Sequence, residues 1–152
     1  MKEYDLIVIG SGAGLNLASP AFESGMRVAI VENGPMGGTC LNRGCIPTKI
    51  LTYVADMIVQ TQHSEKLNVK ATVESIDFPA LMERMREHVG SEATNIGNAI
   101  NSTDGYDWYH TTGEFIDDYT LKVGHEAIRG THIFIAAGSR PLIPDIKGLD
   151  SV

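Results

Sequence analysis

The sequence predicts an α/β fold, a buried parallel sheet with helices beside it and a small antiparallel β-meander attached. Three observations lead there. A short apolar run ending in glycine, Leu6-Ile7-Val8-Ile9-Gly10, is followed by a second, Val28-Ala29-Ile30-Val31, ending at Glu32, the pattern of strands buried on both faces. Between them lie a glycine-rich turn and a stretch with room for one helix. From Tyr106 onward the pattern changes to short strands separated by tight turns.

The first strand spans Tyr4 to Gly10, a helix follows over Gly14 to Ser24 with Gly25 as its stop, and the second strand is Val28 to Val31. Strand, glycine turn, helix and strand make a βαβ unit with a right-handed crossover. Pro20 lacks a backbone N–H and crowds the carbonyl of Asn16, so a kink or a broken turn is expected there. A second helix runs from about Pro47 to Gln62, because Ile50, Leu51, Val54, Met57 and Ile58 recur at three- and four-residue steps. A third begins after Asp77, a capping residue with Pro79 soon behind it, and presents Leu81, Met82, Met85, Val89 and Ile96, whose methionines read as core filler. Strands are then expected at Trp108–His110, Glu114–Ile116, Leu121–Val123, Ala127–Arg129 and Ile133–Ala136, with turns at Asp117-Asp118 and Gly124. The segment from Pro144 to Asp150 has the Pro/Gly-containing composition of a linker.

At 152 residues the chain has the length of one ordinary domain, with 43% hydrophobic and 20% charged residues. No apolar run approaches the roughly 18 residues of a membrane span, and Leu6–Ile9 is too short for a signal-peptide core, so a cytoplasmic protein is expected. The net charge of -7 has a location: seven carboxylates and no Lys or Arg lie between Glu87 and Leu121. That stretch reads either as a solvated acidic face or as an acidic docking patch. Either reading disfavours nucleic acid, whose phosphates need a basic stripe.

Gly10-Ser11-Gly12-Ala13-Gly14 lies between the first strand and the first helix. Glycines there allow a tight turn and close approach of a pyrophosphate to the helix N terminus. Leu15 stands where a strict G-x-G-x-x-G would have its third glycine, and Glu32 comes 22 residues after Gly10, where a carboxylate can accept hydrogen bonds from ribose hydroxyls.

Cys40 and Cys45 are the only cysteines. In a reducing compartment such a pair is catalytic, metal-binding or inert rather than a staple, and the five histidines offer no zinc-site spacing. Residues five apart in a regular helix have Cα atoms about 8 to 9 Å apart, whereas a disulfide needs less than about 7 Å. If the sulfurs bond, the backbone between them must depart from a regular helix, and Gly44 with Pro47 is the place for that. A thiol near a helix N terminus has its thiolate stabilised, and Lys49, one turn after Cys45, adds positive charge beside it.

The stretch Gly37-Gly38-Thr39-Cys40-Leu41-Asn42-Arg43-Gly44-Cys45-Ile46-Pro47-Thr48-Lys49 closely resembles the active-site signature of the flavin-dependent pyridine nucleotide-disulfide oxidoreductases. Gly10–Gly14, Glu32 and Ala136-Ala137-Gly138-Ser139-Arg140-Pro141 match the family's other N-terminal motifs in order, so the resemblance covers essentially the whole chain. The cysteine motif looks most like that of dihydrolipoamide dehydrogenase. Mycothione, glutathione and mercuric reductases are the alternatives, and the departure at Leu15 is similar to the mycothione reductase loop. From another class, a non-catalytic Rossmann-like nucleotide-binding module with idle cysteines also accounts for the pattern.

The resemblance implies a Rossmann-like FAD/NAD(P)-binding fold with FAD bound by Gly10, Ser11, Gly12, Ala13, Gly14, Glu32, Gly38, Thr39, Lys49, Gly113, Ala137 and Gly138. Glu32 would take the adenosine ribose, Thr39 the pyrophosphate, Lys49 the flavin ring and Gly113 the adenine. Cys45 would be the thiol facing the flavin and Cys40 the interchange thiol of a redox disulfide. Electrons would pass between NAD(P)H, FAD, this disulfide and a small-molecule or lipoyl disulfide or dithiol. The resemblance also implies that residues 1–145 form part of an FAD domain and 146–152 begin a linker to an NAD(P)-binding domain. That domain and a homodimerisation domain would lie outside this sequence, and the 152 residues alone are expected to be inactive.

Overall fold

The computed structural model describes residues 1–151. Its strands are β1 (Lys2–Ile9), β2 (Val28–Val31), β3 (Tyr106–Tyr109), β4 (Gly113–Asp117), β5 (Thr120–Val123) and β6 (Glu126–Ile135). Its α-helices are α1 (Leu15–Glu23), α2 (Gly38–Arg43), α3 (Cys45–Gln62) and α4 (Phe78–Asn101), with short 3-10 turns at Ser64–Leu67 and Leu149–Ser151. One six-stranded sheet runs in the order β3-β2-β1-β6-β5-β4. The pairs β3–β2, β2–β1 and β1–β6 are parallel, and β6–β5 and β5–β4 are antiparallel. The expected parallel sheet with an appended meander is therefore what the chain forms.

Alternate residues of β1 feed two apolar clusters, as the two-residue period of a strand requires. Leu6 and Val8 pack with Ala18, Val28, Ile30, Ile100 and Tyr106 beneath α1 and α4. Ile7 packs on the other face with Ala29, Val31, Leu121, Val123 and Ile128. Gly113 of β4, at the far end of the hydrogen-bonded order, lies so close to β2 that a Cβ on it would sit 3.1 Å from Val31 Cγ1. The meander thus curls back over the second face of the sheet.

Two expectations are corrected. The strands anticipated at Ala127–Arg129 and Ile133–Ala136 are one, β6, because β1 pairs with it continuously from Ile128 to Ile135. Gly130 at its centre is no turn: it makes room for Ile7, whose side chain would lie 3.0 Å from an added Cβ. Nor does Pro20 break its helix, since α1 runs through it to Glu23. Pro20 is the sixth residue of this short helix, and its own carbonyl still receives Ser24 N–H at 3.0 Å.

Helix α4 starts where its cap predicts, with Asp77 Oδ1 accepting from Ala80 N–H at 3.0 Å. Its buried stripe is Met85, Val89, Ala93, Gly97 and Ile100. Leu81, Met82 and Ile96 are half-buried, and Gly97 carries the closest approach because Trp108 of β3 fills the space a Cβ would need. Helix α3 begins at Cys45 rather than Pro47 and has no fully buried residue; of the apolar stripe expected from its periodicity, Ile50, Leu51, Val54 and Ile58 are half-buried and Met57 is exposed. Of the seven clustered carboxylates, six are exposed and one is not. Asp107 accepts the hydroxyl proton of buried Tyr4, which also lies 2.7 Å from the Tyr109 hydroxyl and ties the start of β1 to β3. Burial, followed by these partners, pushes the Tyr4 hydroxyl well above its ordinary pKa. Residues 139–148 carry no regular secondary structure, and Val152, the last residue of the expected linker, lies outside the described residues.

Gly14 has helical backbone angles, φ −58° and ψ −35°, where alanine is ordinarily favoured over glycine by about 1 kcal/mol. A Cβ there would lie 2.1 Å from the carbonyl oxygen of Gly10 and 2.5 Å from Val8 Cγ1. Gly14→Ala is therefore expected to destabilise the protein by about 1–3 kcal/mol in urea unfolding, against its helix propensity. An unchanged or higher midpoint would show that strand and helix are not in forced contact.

Candidate functional site

The sheet's topology locates a crevice. The chain leaves β1 through α1 to reach β2 on one side, while β6 lies on β1's other side, so the order of strands reverses between β1 and β6. In open α/β sheets ligands bind at the carboxyl ends of the strands beside such a reversal. Here that place is built of bare backbone. Gly10 has φ +99°, and a Cβ on it would lie 2.2 Å from the carbonyl oxygen of Ala136. Gly38 has φ +59°, and its Cβ would lie 2.4 Å from Gly12 Cα. Three segments, 10–14, 37–39 and 136–137, thus meet without side chains between them. The N–H groups of Gly12, Ala13 and Gly14 find no protein acceptor among the described residues, and they open onto the N terminus of α1.

Glu32 stands at the end of β2 beside this crevice. Its Oε2 accepts from Ser11 N–H at 3.0 Å and from Ser11 Oγ–H at 2.9 Å, and its Oε1 accepts from Gly34 N–H at 2.9 Å. Burial works to raise its pKa, but the N–H of Gly34, the two Ser11 donors and the N–H of Asn33 together outweigh it and hold the carboxyl below its ordinary value. From β3, Trp108 Nε1–H donates to the Glu32 carbonyl at 3.2 Å. The carboxylate is therefore kept ionised, and any further donor must share its oxygens with these partners.

The two cysteines lie on consecutive helices. Cys40 is in α2, Cys45 is the first residue of α3, and Gly44 separates them. A Cβ on Gly44 would come within 3.0 Å of the Thr39 carbonyl oxygen and 3.6 Å of Cys40 Cα, so glycine is what lets α3 start so close to α2. The departure from regular helix that a disulfide requires is present. Both residues are exposed free thiols here, near enough to hydrogen-bond. That side-chain hydrogen bond, followed by slight desolvation, raises the Cys40 thiol's pKa, while the backbone N–H of Cys45 works against the rise.

A glycine-lined crevice, an acid at the end of β2 and a dithiol across a glycine break are joined by evidence from known proteins. The family model described as pyridine nucleotide-disulphide oxidoreductase matches residues 4–152. The chain belongs to the pyridine nucleotide-disulphide oxidoreductase family. Among its relatives, the mercuric reductase of Streptomyces lividans is 36% identical over 98% of this chain and 33% of its own length. The dihydrolipoyl dehydrogenase of Staphylococcus aureus is 39% identical over 95% of this chain and 32% of its own. The HOCl-induced flavoprotein disulfide reductase RclA from Escherichia coli has a similar solved structure, with a TM-score of 0.77 and 31% identity, covering 97% of this chain and 31% of that one. A Cu(II) complex of RclA matches at a TM-score of 0.75 and 32% identity. The chain thus spans about a third of the length of the relatives it matches.

In this family member Gly10, Ser11, Gly12, Ala13, Gly14, Glu32, Gly38 and Ala137 surround one crevice. Thr39 is exposed beside it in α2, and Gly113 begins β4 against Val31, next to the residue before Glu32. Lys49 is exposed one turn along α3 from Cys45. Gly138 has φ +75°, with open space where a Cβ would be. Two contributors had no role in the sequence reading. Asn42 Nδ2 donates to the carbonyls of Met36 and Gly38, both at 2.9 Å, and so closes the turn before α2. Its place inside the cysteine motif was the available signal. Trp108 had none, because only the pairing of β3 with β2 carries it to Glu32. Among the described residues no cluster of three or more His, Cys, Asp or Glu is arranged to hold a metal, and no helix is long and apolar enough to cross a membrane.

The lowered pKa of Glu32 fixes the sign of a pH effect. A carboxyl with a depressed folded pKa stabilises the fold above its unfolded pKa of about 4.3, and loses that contribution as pH falls through the folded value. Glu32→Gln is therefore expected to unfold at lower denaturant than wild type at pH 7, with the gap closing on acidification below about pH 4. A gap independent of pH, measured by urea unfolding across that range, would mean that the charge of Glu32 is not what its donors stabilise.

Proposed function

We propose that this chain is the FAD-binding, dithiol-bearing part of a flavoprotein disulfide oxidoreductase. In the proposed enzyme electrons pass between NAD(P)H, FAD, the Cys40/Cys45 pair and a disulfide or dithiol substrate. The observation that carries the reading is the placement of the two cysteines on adjoining helix ends, directly after the turn that touches the glycine loop. A nucleotide-binding module with idle cysteines has no need of that arrangement.

The crevice fits the adenosine diphosphate end of FAD. Added Cβ atoms at Gly10 and Gly38 would fill the approach to the loop, and the free N–H groups of Gly12, Ala13 and Gly14 suit pyrophosphate at the N terminus of α1. Glu32 would accept hydrogen bonds from ribose hydroxyls, Gly113 would lie toward the adenine, and Thr39, Ala137 and Gly138 would complete the cradle. When bound, FAD supplies two-electron transfer between nicotinamide and the dithiol. Lys49 places a positive charge toward the flavin ring.

The thiols have distinct tasks. Cys45 opens an 18-residue helix, whose N terminus favours negative charge at that position. It is the thiol that faces the flavin. Cys40, exposed on its short helix, reaches substrate. With a disulfide substrate, the Cys40 thiolate attacks one sulfur, a mixed disulfide forms and one thiolate leaves. Cys45 then attacks the Cys40 sulfur, closing the Cys40–Cys45 bond and releasing the second thiolate. Two electrons and two protons return the pair to dithiol. With a dithiol substrate the same steps run backward.

The finer reading is a dihydrolipoamide dehydrogenase, with a lipoyl dithiol as substrate. A second reading, mercuric reductase, is favoured by the Streptomyces lividans relative of that name and by the exposure of both thiols, which suits a soft metal ion as substrate. Glutathione- and mycothione-type disulfides fit the same chemistry. In this proposal residues 1–145 are part of the FAD domain and 146–152 lead toward an NAD(P)-binding domain. A homodimer then completes the enzyme in the cytoplasm, where reductants keep thiols available. No turnover is expected from these 152 residues alone, because among the described residues neither a nicotinamide site nor a general base is assembled.

Titration with FAD followed by absorption tests the reading together with a thiol count. Bound yellow flavin, two reactive thiols after reduction and none after mild oxidation of a monomer are expected. Cys45→Ser should leave Cys40 able to form a mixed disulfide but unable to release it. Protein that takes up no FAD and keeps two free thiols after oxidant supports the idle-cysteine module instead.

A further inference from the structure

We propose that Ser11 is a positioning residue that couples the ribose carboxylate to the dithiol, its hydroxyl joining Glu32 to the turn from which the Cys40 helix starts. This rests on the dinucleotide reading of the crevice and assigns Ser11 a task other than touching the cofactor.

Ser11 is fully buried, and among the described residues it shares the polar interior only with Thr120. Its hydroxyl is used in both directions. It donates to Glu32 Oε2 at 2.9 Å and accepts from Gly37 N–H at 3.1 Å. A hydroxyl that donates to a carboxylate is the stronger acceptor for it, so the two bonds reinforce each other. Gly37, at φ +97°, is the residue from which α2 springs.

Beyond Gly37 the turn and the helix are tied together. Asn42, near the end of α2, reaches back to the carbonyls of Met36 and Gly38. Gly38 is pressed against Gly12, and Gly44 against the Thr39 carbonyl and Cys40. A continuous path therefore runs from Glu32 through Ser11 and Gly37 into α2 and Cys40. Ribose hydroxyls donating to Glu32 compete with Ser11 for the same carboxylate, and that competition changes how firmly Gly37 is held. Occupation of the nucleotide end is thereby felt at the thiols without contact.

The test compares wild type with Ser11→Ala, using ADP as the probe because it carries ribose and pyrophosphate but no flavin ring to cover the thiols. Amide exchange in the unliganded protein is read at Gly37 and, as a reference for global stability, at Ile7 of β1. Alkylation of the thiols by iodoacetamide is read with and without ADP. Ser11→Ala is expected to speed exchange at Gly37 roughly fivefold beyond any rise at Ile7, because Gly37 N–H then lacks its acceptor in the folded state while Ile7 reports only the loss of global stability. With ADP at a concentration that saturates each protein by its own binding isotherm, ADP should alter the wild-type alkylation rate by a similar factor and leave the variant's rate unchanged. A variant that no longer takes up ADP would overturn the assignment of Ser11 to positioning rather than binding. Unchanged exchange at Gly37, an equal rise at Ile7, or an ADP effect that persists in the variant would overturn the coupling. Failure of wild type to bind ADP would overturn the dinucleotide reading and the ribose end of the coupling with it. The exchange result would still decide the Ser11–Gly37 link.

Discussion

Contact between backbones stripped of side chains at the carboxyl end of β1 is the constraint on which the rest depends. Gly10 against Ala136, Gly14 against Gly10 and Val8, and Gly38 against Gly12 all lie closer than a Cβ permits. The first fixes β6 beside β1 at the crevice, the second seats α1 on the sheet, and the third brings the segment before the cysteines onto the loop. Without them the glycine turn, the acid of β2 and the dithiol of α2 and α3 would not meet around one opening.

Polar chemistry then fills what the backbone leaves. A partly buried carboxylate is costly unless donors surround it. Glu32 has its donors from residues that belong to the site itself, Ser11 and Gly34. The interactions that stabilise the ionised form are thus the ones that aim it. The same economy holds at the thiols, where Gly44 both ends one helix and lets the next begin beside Cys40.

Much apolar surface is uncovered around this centre. Helix α3 buries none of its residues fully, and Phe134 and Ile135 at the end of β6, with Phe115, Ile116 and Tyr119 of the meander, are exposed. Helix periodicity in α3 was read correctly as helix, but a stripe of apolar residues does not state what covers it. The stripe of α4 was read incompletely for a related reason. Ala93 and Gly97 are buried in it, Gly97 against Trp108, and small residues carry little hydrophobic signal.

The sequence by itself determined the βαβ unit, the glycine turn, the acid 22 residues on and the dithiol motif, because each depends on local spacing and on residue types with few substitutes. It also required an irregular backbone between Cys40 and Cys45 if their sulfurs are to bond, since regular helix geometry holds them too far apart. Tertiary structure decided that the two strands after Gly124 are one, because an eight-residue β1 pairs with both halves and Gly130 clears Ile7. It also decided that Trp108 reaches Glu32 across the β2–β3 pairing, and that Ser11 lies between Glu32 and Gly37. These are contacts between residues 76, 21 and 26 positions apart. Propensity and periodicity act over a few residues, and only the packed sheet brings such distant positions within hydrogen-bonding reach.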